Sequence, residues 1–85
     1  MKKYCITYDL NKSDKNYDGL YNVIKTFNYI HVMDSVWFIK TDFNANQIYD
    51  KLKPEIDSND NLFICDITCE HSGWLSKSVW NWLNS

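Results

Sequence analysis

The sequence predicts an α+β domain with the element order β-α-β-β-α-β and a short C-terminal helical tail. Three observations predict it. The chain has 85 residues, enough for one domain over 1–85. Strand-like and helix-like periodicities alternate along it without a linker or repeat. Two of its strands are apolar on both faces, which a sheet covered by helices on one side does not need.

Residues 3–9, Lys-Tyr-Cys-Ile-Thr-Tyr-Asp, alternate as a strand, with Tyr4, Ile6 and Tyr8 on one face. Leu10 to Asn16 is polar and aperiodic and reads as a loop. From Tyr17 to Phe27, Leu20, Val23, Ile24 and Phe27 recur at helical spacing. Tyr29–Met33 and Ser35–Thr41 read as two strands joined tightly around Asp34. Asn44 can cap a helix from Ala45 to about Lys53, with Ile48 and Leu52 inward, ended by Pro54. Leu62 to Thr68 is the last strand. Residues 69–85 form the tail, where Ser76 can cap a helix through Leu83 with Val79, Trp80 and Leu83 on one face. This order is the ferredoxin-like, split-βαβ arrangement.

A chain this short buries roughly 60–65% of its unfolded surface, so oligomerisation is a natural support. In Val36-Trp37-Phe38-Ile39 neither face is polar. The expectation is a homodimer whose sheets stack, with Val36, Trp37, Ile39, Trp74, Trp80 and Trp82 at the interface. Trp80 and Trp82 stand about 200° apart on a helix, so one is expected to face inward and the other outward.

The net charge of −2 argues against broad capture of nucleic acid, but leaves room for a local basic face. No apolar run has the length of a signal core or a membrane span, and the expected location is cytoplasmic. Cys5, Cys65 and Cys69 read best as reduced thiols. Cys65, Cys69 and His71 can be drawn as a zinc site but lack a fourth ligand at finger spacing. His31 reads as a structural or surface residue. Asp9 ends the first strand beside a polar loop, where a carboxylate either ligates Mg²⁺ or caps its own turn. No phosphate loop, HExxH motif or Ser-His-Asp spacing is present, so metal-assisted chemistry is the one enzymatic form the residues suggest.

Tyr8-Asp9-Leu10, Asp34-Ser35-Val36-Trp37 and Asn59-Asp60-Asn61-Leu62-Phe63-Ile64 together resemble the CRISPR-associated protein two family, over roughly residues 4–68. The related ribonucleases of the virulence-associated protein D family share this frame. The resemblance implies a ferredoxin-like homodimer that associates with RNA or DNA, with Asp9 as the Mg²⁺-linked catalytic residue of a metal-dependent nuclease. His31, Met33 and Asp34 stand where that family has Arg and Gln, and the tail from Glu70 lies outside its pattern. The whole chain resembles a group of short bacterial and phage proteins labelled SinR-like, although no helix-turn-helix is legible. The alternative expectation is a non-catalytic interaction module that binds a host protein complex, as a phage or mobile-element counter-defence factor would.

Overall fold

The computed structural model describes residues 1–12 and 16–85; residues 13–15 of the expected first loop lie outside the described residues. The elements are β1 (Lys2–Asp9), α1 (Asp18–Ile24), β2 (Asn28–Met33), β3 (Val36–Thr41), α2 (Ala45–Leu52), β4 (Asn61–Asp66) and α3 (Lys77–Leu83). A single 3-10 turn, Lys53–Glu55, follows α2 where Pro54 stops the helix. The strands form one four-stranded sheet in the order β2-β3-β1-β4, antiparallel throughout.

One face of the sheet packs on α1 and α2. The alternation of β1 sends Tyr4, Ile6 and Tyr8 to this face, where they meet Trp37 and Ile39 of β3, Leu20 and Ile24 of α1, and Ile48 and Leu52 of α2. The four helical residues are fully buried, each worth about 1.5–3 kcal/mol of transfer free energy. Asn44 starts α2 with a capping box. Its side chain accepts from the Gln47 backbone N–H at 2.9 Å, and the Gln47 side chain accepts from the Asn44 backbone N–H at 2.8 Å.

The opposite face is covered over β2 and β3 by the chain's own tail. Phe38 points to this side and packs with Val79 and Leu83, one helical turn apart on α3. Cys5, Ile30, Val32, Val36, Ile67 and Leu75 complete the cluster. The two-sided apolar pattern of β3 is thus met within one chain. Trp80 and Trp82 do not split into one buried and one exposed ring. Both are half-buried and flank the Val79–Leu83 stripe. Lys40 Nζ holds the end of α3, donating to Trp82 O at 2.6 Å and Ser85 Oγ at 2.8 Å while sitting 4.3 Å from the Trp82 ring centroid.

Asp34 and Ser35 alone separate β2 from β3. No described residue has a positive φ, so this turn is not one of the primed types that match strand twist. The ladder accommodates it with a bulge between His31 and Met33.

Candidate functional site

A concavity lies where the β2–β3 hairpin bends over α1. It is about 300 Å³ and is lined by Tyr8, Tyr21, Lys25, His31, Asp34 and Trp37. Three elements converge here. β1 supplies Tyr8, α1 supplies Tyr21, the C-cap position of α1 supplies Lys25, and the hairpin supplies the rest.

Trp37 is the centre of the site and is buried. Its indole Nε1 donates to Tyr8 Oη at 2.8 Å, and Tyr8 Oη donates to the Asp34 carbonyl at 3.3 Å. His31 Nε2 donates to the same carbonyl at 3.3 Å, which fixes the proton on that nitrogen because a carbonyl only accepts. The His31 ring lies on Trp37 with centroids 3.9 Å apart and planes 6° from parallel. Tyr21 stacks on Trp37 at 6.2 Å and 20°, and Tyr29 tilts against it at 5.7 Å. Burial pushes the Tyr8 hydroxyl above the ordinary tyrosine range, with the bond from Trp37 working the other way. Tyr8 therefore stays a neutral donor at physiological pH. His31, Lys25 and Asp34 are exposed, so the pocket offers water one aromatic platform, one cation and one carboxylate.

Asp9 is elsewhere. It is exposed at the end of β1, opposite Asn61, beside a groove of about 400 Å³ lined by Thr7, Tyr8, Asp9, Asn61, Leu62 and Phe63. The neighbouring acidic turn serves the loops: Asp60 accepts from the Asn11 backbone at 2.9 Å, from Tyr17 Oη at 2.8 Å and from the Asp57 backbone at 2.8 Å. Among the described residues no three His, Cys, Asp or Glu side chains group so as to hold a metal ion. His71, drawn with Cys65 and Cys69 as a zinc candidate, turns Nδ1 to the Ile67 carbonyl at 2.7 Å and its ring toward Trp80 at 6.1 Å.

The expected interface residues divide. Trp37 and Ile39 are buried in the α1–α2 core, and Val36, Trp80 and Trp82 pack on the tail cluster. Trp74 is 98% exposed, and Phe63, which no sequence argument singled out, is 63% exposed. Sequence reasoning placed Tyr8 and Trp37 in strands and passed over Tyr21 and Lys25.

No family model and no curated protein matches the chain. Among solved structures it is similar to the hypothetical protein TT1823 from Thermus thermophilus, with 22% identity over 88% of this chain and 94% of that one, at a TM-score of 0.66. A likeness at that identity concerns the fold alone. The fold is a compact α+β domain with a four-stranded antiparallel sheet, and no described helix is long and apolar enough to cross a membrane.

Proposed function

We propose that the protein is a nucleic-acid-associated binding module: a ferredoxin-like domain, acting as a homodimer in the cytoplasm, that takes an unpaired base of RNA or DNA at the Trp37 pocket. The single observation that carries this reading is the His31–Trp37 stack. One face of the imidazole is spent on the indole, and the exposed ring extends a π-surface to solvent beside Lys25. Stacking of a base on such a platform is worth about 1–3 kcal/mol and needs no sequence match. A lysine beside it meets one phosphate. With a net charge of −2, affinity rests on stacking more than on charge.

The test is fluorescence anisotropy with labelled single strands. His31→Ala weakens binding roughly 5- to 150-fold, the equivalent of one lost stack. The salt slope is about −1 or shallower, as for one neutralised phosphate. An abasic strand of equal length that binds as well as the parent strand overturns the reading.

The dimer is supported by exposed apolar side chains at Phe63 and Trp74 and by the unpaired edge of β4. The Mg²⁺-dependent nuclease belongs to this reading only if two copies bring Asp9 together, since one carboxylate is thin ligation for Mg²⁺. Cleavage of single-stranded RNA with Mg²⁺ that Asp9→Ala abolishes supports it; equal cleavage by both proteins removes it.

A second reading, a protein-interaction module, is favoured by Trp74. A ring 98% exposed on the segment before α3 suits a partner's pocket. Trp74→Ala should then lose a host complex that the parent recovers, while His31→Ala keeps it.

A further inference from the structure

Cys5 and Cys65 face each other directly across the β1–β4 ladder. Their position in the hydrogen-bond pattern follows from a neighbour. Ile67 N donates to Lys3 O at 2.8 Å, while Lys3 N donates to Thr68 Oγ1 at 2.8 Å, so Lys3 and Ile67 stand at a hydrogen-bonded position of the ladder. Such positions alternate along an antiparallel ladder, so Cys5 and Cys65, two residues on, stand at another. Hydrogen-bonded pairs have Cα atoms about 5.5 Å apart, inside the 4.4–6.8 Å window of disulfides. Their Cβ atoms, about 5.5 Å apart at most, must close toward about 4 Å for a bond to form. A bridge here forms without moving an element, yet it strains the ladder, and strained bridges are the easily reduced ones.

The environments of the two thiols differ. Cys5 lies on the central strand against the Phe38, Val79 and Leu83 cluster, and burial with Cys65 close by pushes its thiol up to about 11. Cys65, half-buried like Cys5, lies on the edge strand β4, two residues from the exposed Phe63.

We infer that Cys5 and Cys65 are a reversible dithiol–disulfide site, oxidised by low-molecular-weight disulfides of the glutathione type. The Cys65 thiolate attacks one sulfur of the reagent, forming a mixed disulfide and releasing one small thiol. Cys5 then loses its proton and attacks Sγ of Cys65, expelling the second small thiol. Two protein thiols are oxidised to one disulfide, and one small disulfide is reduced to two thiols. The apolar packing around Cys5 makes the second step the slower one. The product ties the edge strand β4 covalently to β1.

The test uses the full chain carrying Cys69→Ser, which removes the exposed third thiol. The protein is equilibrated with glutathione and glutathione disulfide at graded ratios, trapped with an alkylating reagent, and analysed by mass spectrometry. The expected result is loss of both free thiols together, a mass about 2 Da lower, a peptide linking residues 5 and 65, and full reversal by dithiothreitol. Cys5→Ser in the same background stalls at a glutathione adduct on Cys65. A stable adduct on Cys65 in the protein that retains Cys5, bridging between chains, or no reaction at any ratio overturns the inference.

Discussion

The His31 imidazole and the Trp37 indole lie 3.9 Å apart, centroid to centroid, and within 6° of parallel. They are direct cross-strand partners in the β2–β3 ladder. Aromatic pairs in such positions contribute about 0.5–1.5 kcal/mol beyond the area they bury. His31→Ala should therefore lower stability by about that much in urea titrations, and should shift Trp37 emission to the red as water reaches the indole. Unchanged emission would mean that another side chain covers the ring.

Tyr8 Oη accepts from the buried Trp37 Nε1. Tyr8→Phe removes the acceptor and strands the indole N–H, at a cost of about 1–3 kcal/mol. Trp37→Phe in the Tyr8→Phe background removes the orphaned donor as well. A double-mutant cycle should therefore show strong coupling; strict additivity of the two losses would sink the account.

Leu83 is fully buried beneath α3. Leu83→Ala should cost about 2–5 kcal/mol by thermal or chemical denaturation, as other core truncations do. If α3 only rests on the sheet and frays freely, the loss will be a few tenths of that.

Cys5 sits near 11 in the folded protein against a reference of 9.0. A thiol whose folded value is raised contributes stability that is complete below pH 9 and is lost as pH rises through 9 toward 11, because the unfolded chain releases the proton first. Tyr8, also raised, adds to the same decline at its upper end. Cys5→Ser should flatten the fall between pH 9 and 11, measured by urea titrations across that window. A decline of the same steepness in both proteins would remove Cys5 as a cause.

Much of the fold was legible because its signals are local. The alternation of Tyr4, Ile6 and Tyr8, the Asn44 cap and the stop at Pro54 each act within a few residues. The two-sided burial of β3 was legible too, but not what covers it. Val79 and Leu83 mark a helix with one apolar stripe, and no local rule says whether that stripe meets its own sheet or a partner's. The Trp37 pocket was not legible, because Tyr8, Tyr21 and His31 converge only through strand order and register. Asp9 drew attention by its position at a strand end, yet a carboxylate gains chemistry from its neighbours, and those depend on loops whose carboxylates serve other bonds.

The bulge in β2 has a further consequence, best put as a change of phase. Met33 stands opposite Val36, and His31 stands opposite Trp37, so Val32 between them has no ladder partner of its own. It spends its side chain on the Phe38 cluster instead. Straightening β2 with Val32 retained would set His31 opposite Phe38, on the α3 side, because a one-residue slip exchanges the two faces of a strand. Deleting Val32 would keep His31 against Trp37, but it would remove the bulge that accommodates the unprimed Asp34–Ser35 turn as well as one aliphatic contact below. Val32 thus sets the phase that keeps His31 on the Trp37 side of the sheet while an unprimed turn closes the hairpin.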